Sequence, residues 1–194
     1  KRRPLVGTGV NASAFNNWVT DETMNGWGVK VIAGTKEYYG EIETYINNKP
    51  VVSLNYLFSD SAVGVIMKKA PKIPETTTEL VYAFANLVIN LKEAPSIPYG
   101  VEDITGIFYG TEIEILPDGF VIPGTVKYMD YAFYRNRFAI SPDIPESVIS
   151  MTFAYALSYL EKAPYIPSGV LSMEGVFEQC SKLVKGPNLS HLTK

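Results

Sequence analysis

The dipeptide Ile-Pro recurs at positions 73–74, 97–98, 122–123, 144–145 and 166–167, in nearly even steps. Pro71, Pro95, Pro142 and Pro164 precede four of these pairs, each three residues before the second proline. A segment as short as one such step cannot bury an apolar face on its own, so the repeat requires neighbouring units to stack. It therefore limits the chain to architectures built rung on rung.

Each Ile-Pro is followed by a short polar turn, then an apolar residue, a second one three later and an aromatic four after that. The triplets are Thr77/Leu80/Phe84, Val101/Ile104/Phe108, Val126/Met129/Phe133, Val148/Met151/Tyr155 and Val170/Met173/Phe177. Val51/Leu54/Phe58 forms an earlier unit without its Ile-Pro, which makes six units. Thr77 is the one polar member. The junction from Pro117 to Pro123 carries three extra residues. Three-then-four spacing places the triplet on one face of a short helix. The segment that follows, such as Leu160 to Pro164, is short and ends in a proline that favours extended geometry for itself and its predecessor. Each unit therefore reads as a short strand, a Pro-x-Ile-Pro turn and one or two helical turns.

The last unit, Ile166 to Leu183, resembles the BspA-type leucine-rich repeats of bacterial surface proteins, whose units run roughly IPxxVxxMxxxFxxCxxL. Phe108-Tyr109-Gly110 and Phe133-Tyr134 resemble the aromatic segment of the same family. The resemblance covers roughly residues 50–190. At the cysteine position only Cys180 keeps the pattern, with Thr111, Asn136 and Ser158 elsewhere. The resemblance implies an α/β fold, a leucine-rich-repeat solenoid of about six strand–turn–helix units over residues 49–194, with residues 1–48 as an N-terminal capping or attachment segment. It also implies partner binding at surfaces, host or matrix proteins included, and related repeats occur in phage structural proteins.

Residues 1–48 lack the repeat. Thr35 to Asn48 reads as a helix, with Tyr38, Ile42, Tyr45 and Ile46 on one face, Thr35 as cap and the Asn pair as its end. Trp18 and Trp27 lie upstream. The segment reads as a cover for the apolar end of the stack, or as an element that docks on another chain with Lys1-Arg2-Arg3 as an arm.

Composition removes most chemistry. A net charge of −3 and a pI near 5.3 argue against nucleic acid. One cysteine excludes an internal disulfide framework or a thiolate-rich zinc site, and one histidine, His191, nearly removes triads and His-based metal sites. No apolar run approaches the length of a membrane-spanning helix, so no helix is expected to insert in a membrane. Gly7-Thr8-Gly9-Val10-Asn11-Ala12 resembles a dinucleotide loop, but only Pro4-Leu5-Val6 precedes it and no βαβ unit follows. Glu112 and Glu114 would share a strand face and could act as an acid/base pair, yet solvated surface is the economical reading. Cys180, on the apolar face, reads as a buried small hydrophobe. The expectation is a chain that is not an enzyme, without cofactor or metal.

Two sets of residues are candidates for contact with a partner. Tyr56, Tyr82, Tyr131 and Phe153 lie two residues before their ladder aromatics, with Gly106 and Gly175 in the other two units. On a helix this position is about 200° from the core, where a row of aromatics suits a protein interface. The alternative is packing of these rings between units, which the two glycines fit. Lys72, Ser96, Asp143 and Tyr165 stand between paired prolines, with mixed chemistry that suits a protein better than a small ligand. The expected function is a protein-binding or adhesion module at the cell surface or outside the cell. The alternative is a structural part of a larger assembly, such as a virion decoration, head or tail-fibre protein, with an assembly neighbour as partner. The lack of signal-peptide features inclines toward that alternative.

Overall fold

A computed structural model of the chain describes residues 10–11, 28–32, 35–39, 42, 44–46, 48–59, 65–66, 70–87, 91 and 93–192. Among these, the N-terminal part contributes six short strands. β1 (Val10–Asn11) pairs in parallel with β5 (Lys49–Ser53), and β4 (Tyr45–Ile46) pairs with β5 antiparallel. β2 (Gly28–Ile32) and β3 (Thr35–Tyr39) pair antiparallel, and β6 (Val65–Ile66) joins β3 in parallel. The helix expected over residues 35–48 is therefore incorrect. Its first five residues are a strand, and Tyr45–Ile46 is another. A Thr-Lys-Glu-Tyr-Tyr run suits a strand through its threonine and tyrosines, and pairing with β2 outweighs the helical spacing. Trp18, Trp27 and Lys1-Arg2-Arg3 lie outside the described residues.

The α/β solenoid of strand–turn–helix leucine-rich repeats is also incorrect. Among the described residues there is no helix, and beyond residue 66 parallel pairing is confined to isolated single-residue bridges. The segments with three-then-four spacing are chains of tight turns. The physical reason is a left-handed backbone at two positions per unit, four residues apart: Tyr82 and Asn86, Gly106 and Gly110, Tyr131 and Arg135, Phe153 and Leu157, Gly175 and Gln179, with φ between 51° and 66°. An α-helix cannot pass through such residues, and each non-glycine one costs about 1–2 kcal/mol relative to a right-handed conformation.

The turns are retained because they satisfy the backbone donors along the segment. Amides alternate. Ile107 donates to the carbonyl of Ile104, Tyr109 to Gly106 and Thr111 to Phe108, each closing a tight turn at 3.0–3.2 Å. The intervening amides of Ile104, Gly106, Phe108 and Gly110 donate to Tyr128, Asp130, Ala132 and Tyr134 of the next unit at 2.7–3.0 Å. The same alternation joins Met129, Tyr131, Phe133 and Arg135 to Ser150, Thr152, Ala154 and Ala156. A helix would keep all these bonds to itself, whereas the turn chain gives half of them to its neighbour. Buried amides left without partners would cost more than the strained φ.

At each corner the proline carbonyl accepts a turn-closing amide three residues on: Thr77 to Pro74, Val101 to Pro98, Val126 to Pro123, Val148 to Pro145 and Val170 to Pro167, at 3.0–3.3 Å. Hydroxyls then tie the corners together. Thr76, Thr125 and Ser147 donate to the carbonyls of Val51, Val101 and Val126 in the preceding unit, at 2.7, 2.8 and 2.6 Å.

The triplet residues form the core, on turns rather than on a helix. Val101, Ile104, Phe108, Val126, Met129, Phe133, Val148, Met151 and Tyr155 are all fully buried. The aromatics run as one column, Phe58, Phe84, Phe108, Phe133, Tyr155 and Phe177, with centroids 5.2–6.0 Å apart. Burying each contributes roughly 1.5–3 kcal/mol. Thr77 interrupts the chemistry of the first column: it is fully buried, and its hydroxyl has no hydrogen-bond partner.

The column at the cysteine position is polar for a reason the spacing does not show. Asn136, fully buried, donates to the carbonyl of Phe108 and accepts from the amide of Ile113 (3.0 and 2.9 Å). Thr111 donates to the same Phe108 carbonyl (2.8 Å) and Cys180 to that of Tyr155 (3.0 Å). Cys180 is half-buried and acts as a weak donor, rather than as a purely apolar filler.

Candidate functional site

The left-handed position opens outward, and its side chains meet between units. Tyr56 stacks on Tyr82 at 5.5 Å with 7° between ring planes, and Tyr131 stacks on Phe153 at 5.3 Å and 14°. The glycines of this column are required by the rings beside them. A Cβ at Gly106 would lie 2.4 Å from the Tyr82 ring, and one at Gly175 would lie 2.2 Å from that of Phe153. Each glycine thus lies beneath the ring of the preceding unit.

Gly106 leaves no ring of its own, and two residues outside the expected set close the gap. Tyr109 lies 5.8 Å from Tyr82 and 6.2 Å from Tyr131, and stacks on Tyr134 at 4.5 Å with ring planes 2° apart. Tyr134 in turn lies 6.1 Å from Tyr131. The result is a continuous ladder from Tyr56 to Phe153. The two additional tyrosines follow the buried ladder phenylalanines directly, as Phe108-Tyr109 and Phe133-Tyr134. Both lie three residues after the left-handed position, Tyr109 after Gly106, where the column has lost its ring, and Tyr134 after Tyr131.

Tyr56 is 54% exposed, and Tyr82, Tyr109, Tyr131, Tyr134 and Phe153 are half-buried. Two of the hydroxyls are held firmly in the protonated form. Burial, then the neighbouring hydroxyls of Tyr56, Tyr109 and Tyr131 and the carboxylate of Asp130, raise the pKa of Tyr82 above its ordinary value. Burial and Tyr109, which also hydrogen-bonds to it, raise that of Tyr134. The ladder presents five tyrosine hydroxyls along its length.

Polar residues flanking the ladder hold its rungs in register. Asn55 donates to Glu79 and accepts from the amide of Val81, both at 2.8 Å. Asp103 accepts from the amide of Thr105 at 2.9 Å, which fixes the turn within its own unit. Asp130 accepts from Ser150 and from the amide of Thr152 at 2.6 and 2.7 Å. The rings are thus mounted on backbone that the neighbouring unit holds in place.

The second candidate set does not assemble in the same way. Lys72 is exposed and 3.5 Å from Glu75, while Ser96 and Asp143 are exposed single residues on different units. Tyr165 stacks on His191 at 4.8 Å. His191 Nε2 donates to the carbonyl of Ile166 at 2.7 Å, so both residues serve to fasten residues 188–192 to the last corner. Glu112 is not on a strand: it has a left-handed backbone, and its carboxylate is engaged by Arg137 at 2.6 Å and Arg135 at 3.6 Å. Among the described residues no three His, Cys, Asp or Glu side chains are grouped to hold a metal ion, and no helix is long and apolar enough to cross a membrane. The glycine-rich segment at residues 7–12 lies outside the described residues except for β1.

Comparison of the chain with family models, with curated proteins and with solved structures finds no match.

Proposed function

We propose that this chain is a non-enzymatic protein-binding module of the kind displayed on cell surfaces, and that it grips its partner along the tyrosine ladder. The observation that carries this reading is the continuity of the ladder: stacked or tilted rings lead without a gap from Tyr56 to Phe153 across five units. Tyrosine has two side-chain torsions, an apolar ring and a donor at its tip, so it contributes binding area at little entropic cost. Here that cost is lower still, because neighbouring rings already restrain each side chain. A surface rigid over several units suits an extended protein segment better than a small molecule, which binds best where a pocket encloses it.

The test uses a random peptide library displayed on phage, selected against the intact chain. Enriched peptides should bind the double variant Tyr109→Ser/Tyr134→Ser at least about tenfold more weakly, since aromatic hot spots dominate such interfaces. Circular dichroism of the variant checks that the turn stack is retained. Peptides that bind both proteins equally, or a selection without enrichment, would overturn the reading.

A further inference from the structure

The residues three before and one before each left-handed position line one flank of the tyrosine ladder. Hydrogen bonds join these two columns from unit to unit, Asn55 to Glu79 at 2.8 Å and Ser150 to Asp130 at 2.6 Å. Over six units the columns hold four carboxylates, Glu79, Asp103, Asp130 and Glu174, and no lysine or arginine. Asp103 is buried and holds its own turn. Glu79 and Asp130 are half-buried and Glu174 is exposed, and among the described residues none of these three takes part in an ion pair. Asp130 lies close enough to the Tyr82 hydroxyl to act on it electrostatically.

The cations near this flank are engaged elsewhere. Lys127 is paired with Glu102 at 2.9 Å. Arg135 stands by Tyr134 on the opposite flank, where it leans to Glu112 at 3.6 Å and where Glu178 also acts on the Tyr134 hydroxyl. The ladder is therefore an aromatic ridge with an uncompensated line of negative charge along one side.

The line has a register. Glu79, Asp130 and Glu174 belong to the second, fourth and sixth units. Units joined by parallel bridges stack about 4.8 Å apart, so successive carboxylates are about 9.6 Å apart along the stack. A polyproline II segment rises about 3.1 Å per residue with three residues per turn, so its every third side chain recurs on one face about 9.3 Å further on. The two periods match within a few tenths of an ångström.

We infer that the segment gripped along the ladder is extended and basic, with lysine or arginine at every third residue facing Glu79, Asp130 and Glu174. This rests on the ladder being the binding surface and adds the chemistry of its partner. The aliphatic stems of the basic side chains lie against the tyrosine rings while their charged ends reach the carboxylates, and the residues between them meet the ridge as proline-rich segments meet aromatic grooves.

The probe is a fluorescent peptide of about four Lys-Pro-Pro triplets, with two controls: the same composition with its lysines gathered at one end, and the Glu-Pro-Pro counterpart. Fluorescence anisotropy against the full chain should show the triplet repeat binding at least about tenfold more tightly than either control, and more weakly as salt is added. Asp130→Asn with Glu174→Gln should reduce that affinity at least about fivefold. The asparagine can still accept from Ser150 and Thr152, so the register of the units is kept, as circular dichroism would check. Gathered lysines that bind as tightly as spaced ones, a double variant that binds like the parent, or no binding of the triplet repeat overturns the inference. Library peptides that lose affinity for Tyr109→Ser/Tyr134→Ser yet carry no basic triplets overturn it too, and leave the ladder itself standing as the binding surface.

Discussion

Two rows of parallel bridges run along the stack, and they differ. The first, Ser53–Glu79–Asp103–Tyr128–Ser150–Ser172, passes through all six units without a break. The second links Glu93 to Ile115, and separately Ile140 to Lys162 and Lys185, with no bridge between Ile115 and Ile140. The interruption falls beside the insertion between Pro117 and Pro123, which turns at Gly119 (φ 75°) before the chain rejoins its corner. Ile115 and Ile140 are both exposed on either side of it, and an ion pair from Glu112 to Arg137 crosses the junction. The lesson is that the effect of the insertion is local: the first row continues across steps of 22 to 26 residues, whereas the second is broken where the three additional residues sit beside it. The first row lies beside the tyrosine ladder, which explains why the ladder is continuous.

The largest effect is expected in the core under the continuous row. Phe108 is fully buried between Phe84 and Phe133, and Phe108→Ala should destabilise by about 3–5 kcal/mol, read as a lower urea midpoint at unchanged slope. Two glycine replacements then sharpen the contrast. Both Gly106 and Gly119 have positive φ, but a Cβ at Gly106 meets the Tyr82 ring while one at Gly119 meets nothing within 4 Å. Gly106→Ala should cost about 2–4 kcal/mol and Gly119→Ala about 1 kcal/mol. Equal losses would show that backbone strain alone, and not the ladder, requires glycine at position 106.

Tyr155 supplies a test by pH. It is fully buried, and although its hydrogen bond with Ser141 (2.7 Å) opposes the effect, burial raises its pKa well above the ordinary 10.0. A raised folded-state pKa means that its protonated form is favoured in the fold, so this stabilisation is complete below about pH 10 and is lost as pH climbs beyond it. Tyr155→Phe should cost about 1 kcal/mol at neutral pH through the lost bond, and the gap to the parent chain should narrow in alkaline titrations above about pH 10. A constant gap would contradict the burial of a titrating group.

Thr77→Val should stabilise by about 1 kcal/mol, because it removes a buried hydroxyl without a partner and completes the valine column, as a rise in melting temperature would show. The smallest change is expected at the broken row. Glu112→Gln weakens a partly exposed ion pair and should cost less than about 1 kcal/mol, diminishing further with added salt.

What the sequence by itself determined is the set of buried positions. Residue type and spacing alone single out Leu80, Ile104, Met129 and Met151 and the aromatic column as core, because burial rewards apolar area irrespective of the backbone that carries it. The prolines marked the corners, since a fixed φ and a missing amide allow little else. What only the tertiary structure decided is the conformation between them. Three-then-four spacing suits a helix, but it equally suits a run of turns with a left-handed residue at every fourth position, and glycine marks only some of these positions. Tyr82, Tyr131 and Phe153 adopt that backbone although nothing in their side chains favours it. They do so because their amides bond to the next unit, a partner one full repeat away in the chain that no local pattern records. The tyrosine ladder was legible only in part for the same reason. Tyr109 and Tyr134 enter it from a different position of the unit, and only the stacking of successive units brings the two positions together.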